Sequence, residues 1–359
     1  QYVCFHPERA EIDVSTEYES RKREKGITPQ PKNRGKIAVV GSGPAGLTAA
    51  CELVKMGYQV TVFESSSEPG GMLRECMPSY RLPRKVLESE IELIKRLNIK
   101  IRTGVTVGKD LTMEDLSREG YKAVFIATGA PKSRKLRIEG TELRGTIDAL
   151  EFLRRINLGD RVEIGGRVGV IGGGNVAMDA ARTALRLGAK EVSILYRRSR
   201  DEMPANPWEV KEAESEGVKI SLLVSPRKIL GKDGRVTAVE CIRMQLGEPD
   251  ETGRRRPISV EGSESTTEFD TVILAIGETP DLSFLPEEVE VSSDNTILVD
   301  PVTMETSLLG VFAGGDVVSG PATVIEAIVA GKRAAHSIDR HLKGVRSGKI
   351  EVSVKHERG

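Results

Sequence analysis

The sequence predicts an α/β protein made of two Rossmann-like dinucleotide-binding units, the second inserted into the first. Two stretches carry that expectation. "KIAVVGSGPAGLTAACELVKMGYQVTVFES" (36–65) and "GVIGGGNVAMDAARTALRLGAKEVSILYRRS" (169–199) each run from an apolar strand through a glycine turn and a helix into a second strand. A third observation sets the order. "GVFAGGDVVSGPATVIEAIVAGKRAAHSIDRHL" reads as a buried strand, a Gly-Asp turn and a helix starting near Ala322, and it repeats no dinucleotide unit, so it completes the first one. A chain of 359 residues has room for two such cores.

Residues 1–35 read as a polar linker or helical segment, with the charge run "YESRKREKG" and the Pro/Gly-marked "ITPQPKNRG". The first unit is expected over 36–145 and 278–343, the second over 146–277, with a tail at 344–359. Within the first, "PRKVLESEIELIKRLNI" reads as a helix, and "KIRTGVTV" and "AVFIATG" as strands. Within the second, "VKISLLVSPRKILGKDGRVTAVECIRMQL" and "FDTVILAIGETP" read as strands joined by glycine turns.

The two glycine turns differ in the charge that follows them. Gly41, Gly43 and Gly46 form G-x-G-x-x-G, in which the first permits the tight turn, the second lets backbone approach a pyrophosphate, and the third lets helix pack on strand. The helix N-terminus then offers unpaired N–H groups to phosphate. Glu64 closes the next strand, where a carboxylate can accept from a ribose diol. Gly172, Gly174 and Ala177 give the permitted G-x-G-x-x-A variant, but its next strand closes on Arg197 and Arg198. Two guanidinium groups suit a 2′-phosphate, so the acidic strand end points to FAD and the basic one to NADPH.

Composition excludes other classes. Lys plus Arg (53) equals Asp plus Glu (53), so no overall field favours nucleic acid or an acidic membrane. No apolar run is long enough for a membrane span. Cys4, Cys51, Cys76 and Cys241 form neither C-x-x-C nor a spaced metal set, and a reduced, cytoplasmic setting is expected. Cys51 and Cys76 read as packing residues. His6, His336, His341 and His356 read as surface or helix residues rather than ligands.

"GSGPAG", "EPGGMLRECMPSYRLPRKVLESEIELIKRLNIKI", "YKAVFIATGAPKS" and "GVFAGGDVVSGPATVIEAIVAGKRAA" resemble the small-subunit family of NADPH-dependent glutamate synthase over about 36–343. The module is also similar to the FAD/NADPH segment of dihydropyrimidine dehydrogenase and to the large subunit of NADH-dependent ferredoxin:NADP oxidoreductase. The resemblance implies a thioredoxin/glutathione-reductase-like arrangement. It also implies FAD contacts at Gly41, Gly43, Pro44, Ala45, Gly46, Leu47, Glu64, Gly70, Gly71, Met72, Arg81, Val107, Thr128, Gly129, Gly315 and Asp316. Ala322, Thr323 and Val324 would meet the flavin ring, where a helix N-terminus stabilises negative charge on the reduced flavin. For NADPH it implies Gly172, Gly173, Gly174, Asn175, Val176, Arg197, Arg198, Ala275, Ile276 and Gly277. Glu278 receives no role.

Hydride transfer between two such cofactors needs alignment rather than an acid or base, so no catalytic side chain is nominated. Family members pass electrons to iron–sulfur clusters, often held by cysteines before the FAD unit. Here only Cys4 precedes residue 36, so any cluster is expected on a partner or a missing segment. The expected partner is an electron-accepting subunit or iron–sulfur protein, such as a glutamate synthase large subunit or a ferredoxin. A stand-alone NAD(P)H oxidase or quinone or dye reductase is the alternative enzyme. A nucleotide-binding assembly domain with structural FAD is the alternative without catalysis.

Overall fold

A computed structural model describes residues 34–250 and 253–344. The expectations placed on the N-terminal linker with Cys4 and His6, and on the tail with His356, lie outside the described residues.

The first sheet holds β1 (Lys36–Val40), β2 (Gln59–Glu64), β3 (Lys100–Thr103), β4 (Tyr121–Ile126) and a late strand from Val311–Ala313, in the order late strand, β4, β1, β2, β3. All of its pairings are parallel. Parallel sheets need both faces covered, which is why β1 and β4 are almost continuously apolar. One face packs Leu53, Phe125, Phe312 and Ile338 with α1 (Pro44–Lys55); the other buries Val107, Leu116, Val289 and Val317. α2 (Met72–Glu75), α3 (Arg84–Lys95) and α4 (Met113–Arg118) lie between β2 and β4 in the chain.

From β4 the chain passes through β5 (Lys132–Ser133) into a second parallel sheet. Its members are β6 (Thr146–Asp148), β7 (Arg167–Ile171), β8 (Glu191–Tyr196), β9 (Lys219–Leu222) and a strand at Thr271–Leu274, which lies between β6 and β7. α5 (Ala149–Asn157), α6 (Asn175–Arg186) and α7 (Pro207–Ser215) cover one face through Phe152, Met178 and Ala213. The other face meets an antiparallel sheet of β10 (Val224–Lys232), β11 (Arg235–Pro249), β12 (Arg255–Ser259) and β13 (Ser265–Glu268), joined through Ile229, Val239 and Phe269. β14 is the Thr271–Leu274 strand. β15 (Glu278–Thr279) then pairs antiparallel with β5, so the two passages between the sheets are bonded to each other. β16 (Val311–Ala313), α8 (Asp316–Ser319) and α9 (Val324–Leu342) complete the first sheet's side.

Two local expectations shift. "TGVTV" does not continue β3, because Gly104 turns at φ +67° and Val107 makes only an isolated bridge to Leu111. The last helix begins at Val324 rather than near Ala322. Thr323 is its cap: the Thr323 side chain accepts from the Glu326 amide while the Glu326 carboxylate accepts from the Thr323 amide.

Candidate functional site

Dinucleotides bind at the carboxyl ends of parallel strands, and both sheets present those ends to one cavity of about 1640 Å³. Pockets for a single small-molecule ligand or cofactor measure roughly 300–1,000 Å³. The cavity therefore has room for two extended cofactors.

The glycines give a direct test of fit. A Cβ on Gly41 would lie 2.4 Å from the Ala127 carbonyl oxygen, and one on Gly46 would lie 2.0 Å from the Gly41 oxygen. These two glycines are required by the protein's own packing. A Cβ on Gly43 would meet nothing within 4 Å. Gly43 is thus a cradle open toward the cavity, as a pyrophosphate contact demands. The second turn repeats the division of labour. A Cβ on Gly172 would lie 2.0 Å from the Ala275 oxygen, whereas one on Gly174 has only Pro204 Cγ at 3.9 Å. Neither helix start carries a side-chain cap. Thr128 Oγ1 is buried without a hydrogen-bond partner, and Thr128 lines the cavity. A buried hydroxyl of this kind has bonding capacity to offer a ligand.

Most sequence-predicted residues meet on this wall: Gly41, Gly43, Pro44, Ala45, Glu64, Gly71, Met72, Val107, Thr128, Gly129, Gly315, Asp316, Ala322, Thr323 and Val324 on the first side. Gly172, Gly173, Gly174, Asn175, Val176, Arg197, Arg198, Ala275, Ile276 and Gly277 line the second. Gly46, Leu47 and Gly70 are not among the lining residues. Leu47 instead packs on Leu87 and Ile91.

The charged members are engaged in different ways. Glu64 is buried, and its carboxylate accepts from the Ser42 amide at 2.9 Å and the Ser66 amide at 2.8 Å, with the Ser42 and Ser65 hydroxyls also donating. Those hydroxyls can rotate, releasing lone pairs for a ribose diol. Arg81 lines the cavity, but its guanidinium is paired to Asp179 on α6 and Glu209 on α7, each at 2.7 Å. It ties the first unit's loop to the second unit. Arg197 is exposed. Arg198 is buried, donating through Nη2 to Asp250 at 2.7 Å and through Nε to the Arg255 carbonyl at 2.8 Å.

Two features escaped the sequence reading. Ser42, fully buried, links Glu64 to the Gly70 amide, which donates to its hydroxyl at 3.0 Å. Its position inside the glycine turn gave no separate signal. Glu278 lines the cavity on the bonded crossing between the sheets. Burial, then the nearby carboxylates of Asp316 and Asp148, pushes it up to about 7. Asp316 is raised to about 6, again chiefly by burial. Cys76 also reaches the wall, but burial pushes its thiol up to about 12, far from a reactive thiolate at neutral pH. Among the described residues, no cluster of His, Cys, Asp and Glu could hold a metal ion, and no helix is long and apolar enough to cross a membrane.

Residues 35–331 match the family described as pyridine nucleotide-disulphide oxidoreductase. The chain is 50% identical over 320 residues to the NADP(+)-dependent formate dehydrogenase subunit beta of Moorella thermoacetica, covering 88% of this chain and 45% of that protein. It is 40% identical over 388 residues to the NADPH-Fe(3+) oxidoreductase subunit beta of Geobacter sulfurreducens, covering 95% and 57%. The chain therefore spans about half the length of these two curated relatives. With the glutamate synthase [NADPH] small chain of Azospirillum brasilense the identity is 38% over 341 residues, covering 91% and 70%. Among solved structures, Mycobacterium tuberculosis FprA in complex with NADPH superposes with a TM-score of 0.75 at 21% identity, covering 86% of this chain and 85% of that one. The thioredoxin reductase of T. acidophilum gives 0.65 at 24%, covering 86% and 98%. These two likenesses show the fold. The chain belongs to the pyridine nucleotide-disulphide oxidoreductase family, as a flavoprotein oxidoreductase module for FAD and NADPH homologous to the glutamate synthase small chain.

Proposed function

We propose that this chain oxidises NADPH at FAD and passes the electrons to an iron–sulfur partner or subunit. The observation that carries this reading is the single cavity joining two glycine cradles whose strand ends bear opposite charge. When bound, the two cofactors supply the hydride transfer from nicotinamide to flavin. The protein's work is to hold them in line. In this reading 36–145 with 278–343 holds FAD and 146–277 holds NADPH. Gly43 and Gly174 admit the pyrophosphates, with the uncapped N-termini of α1 and α6 donating to them. Glu64 takes the FAD ribose, Thr128 a further polar atom, and the basic end of β8 the 2′-phosphate. The N-terminus of α9 at Thr323 faces the flavin ring, where its dipole favours the reduced, negatively charged form.

Support for a partner comes from the relatives, which are named as subunits or chains of larger enzymes. Cys51, Cys76 and Cys241 are free thiols, as the proposed cytoplasmic location requires. Anaerobic titration of the flavin-loaded protein with NADPH tests the reading. Stoichiometric bleaching of the flavin is expected, and yellow protein persisting in excess NADPH would leave only a structural role for FAD. Turnover with oxygen or quinone as fast as with one-electron dyes would favour a stand-alone reductase.

A further inference from the structure

Arg81, Arg154 and Arg198 on the cavity wall each hold a carboxylate, those of Asp179, Glu75 and Asp250. Arg134 differs. It follows β5 on the passage from the first sheet to the second, lines the same cavity and is exposed. Its amide donates to the Gly277 carbonyl at 2.9 Å, and its Nε donates to the Glu278 carbonyl at 3.3 Å. A Cβ on Gly277 would lie 3.5 Å from Arg134 Cδ, so the arginine stem runs across that glycine. Backbone and side chain are thus both strapped to the chain leaving β14, while Nη1 and Nη2 have no hydrogen bond or ion pair among the described residues. The carboxyl of Glu278 is acted on by Asp316 and Asp148 and not by Arg134, so it does not neutralise the guanidinium.

Strand order fixes which part of a ligand meets Arg134. The second sheet runs β6-β14-β7-β8-β9, so the glycine turn after β7 lies between the basic end of β8 and the Gly277 end of β14. Neighbouring strands are about 4.8 Å apart, and the turn abuts the exit of β14, where a Cβ on Gly172 would lie 2.0 Å from the Ala275 carbonyl oxygen. A dinucleotide with its 2′-phosphate at the end of β8 crosses the glycine turn before it reaches Gly277. Beyond the 2′-phosphate, the charge it carries is that of the pyrophosphate.

We propose that Arg134 holds the pyrophosphate of NADPH from the β14 side of the glycine turn, as a binding residue outside the glycine motif. This rests on the NADPH reading above and deepens it. A guanidinium offers paired N–H donors in a geometry that matches phosphate oxygens, and here the stem is already fixed by its Nε bond. The amides at the start of α6 supply donors from the other edge of the turn. Arg134 lies within 36–145, the stretch assigned to FAD, so bound NADPH would bond the passage between the units to the second unit's own turn.

The test uses the flavin-loaded protein and its R134A and R134K variants, with circular dichroism confirming that each is folded. Calorimetry compares NADP+ with adenosine 2′-monophosphate, which keeps the 2′-phosphate and lacks the pyrophosphate. R134A is expected to weaken NADP+ roughly tenfold or more, as for the loss of one charge-assisted hydrogen bond, and to leave adenosine 2′-monophosphate within about twofold. R134K keeps the charge without the fork and should fall between wild type and R134A. Undiminished NADP+ binding by R134A would overturn the assignment, and so would an equal loss for adenosine 2′-monophosphate. Flavin missing from folded R134A would place the arginine on FAD instead and overturn it as well. Failure of the NADPH reading shows separately, as wild-type protein that binds NAD+ as tightly as NADP+.

Discussion

Glycines only a few positions apart in one motif have opposite reasons to be glycine, and the difference can be measured. Gly43→Val adds atoms where the protein has none, so the variant should fold, remain soluble and emerge depleted of flavin. Fully yellow Gly43→Val protein would contradict the pyrophosphate assignment. Gly46→Val instead drives a side chain into the Gly41 carbonyl and should fail to accumulate. Arg81 carries a second residue-scale prediction. Asp179 is buried, and burial pushes its carboxyl up to about 6 while Arg81 holds it down. An acid raised in the folded state binds its proton more tightly folded than unfolded. Its stability is therefore full below the ordinary value of 3.8 and is lost as pH rises toward about 6. Without Arg81 that loss extends to higher pH. Arg81→Ala should cost about 3–5 kcal/mol at pH 8 and distinctly less at pH 5. Urea unfolding at the two pH values measures this, and equal losses would show that Asp179 is not the group left behind.

Among the elements, α1 and α9 decide how closely the first unit can close around a cofactor. A Cβ on Gly331 of α9 would lie 2.3 Å from the Ala45 carbonyl oxygen in the first turn of α1. The two helices touch through backbone, which fixes the α1 N-terminus facing the cavity. Gly331→Val should destabilise by about 3 kcal/mol and lower the flavin-to-protein ratio, because displacing α1 moves the amides offered to phosphate. A normal flavin ratio in the destabilised variant would separate helix packing from cofactor binding. The cap of α9 is independent of that contact. Thr323→Val removes the side-chain half of the Thr323–Glu326 box and should cost about 1 kcal/mol of stability, read as a lowered denaturation midpoint. The glycine spacing made α1 and α6 legible in the sequence. α9 starts two residues later than its sequence suggests because the short helix α8 and a turn at Gly320 come before the Thr cap.

On the scale of the whole molecule, the two units are joined by the β5–β15 pair and the Arg81 bridge and line one cavity. Among the described residues, nothing in that junction offers a thiol pair. Cys51, Cys76 and Cys241 are free, and burial raises the first and last thiols to about 11 and Cys76 to about 12. The purified chain is therefore expected to reduce one-electron dyes with NADPH and not to reduce thioredoxin, and Cys76→Ala should retain dye reduction. Thioredoxin reduction at a rate similar to that with dyes, lost in Cys76→Ala, would make that cysteine a redox group after all.

The sequence by itself determined the two parallel sheets, their glycine turns and the opposite signs of Glu64 and Arg197, because these rest on local periodicity and on residues close together in the chain. The stretch around β16 carries no dinucleotide motif of its own, and the structure lays that strand beside β4. Tertiary structure alone decided what the charged side chains do. Arg81 faces acids about a hundred and more positions away, Arg198 is turned into a hairpin over fifty positions downstream, and Glu278 comes to lie near Asp316 and Asp148. The physical reason is that a glycine turn is dictated by backbone sterics within a few residues. The free energy of a buried charge depends on partners and exclusion of water that only the packed chain supplies.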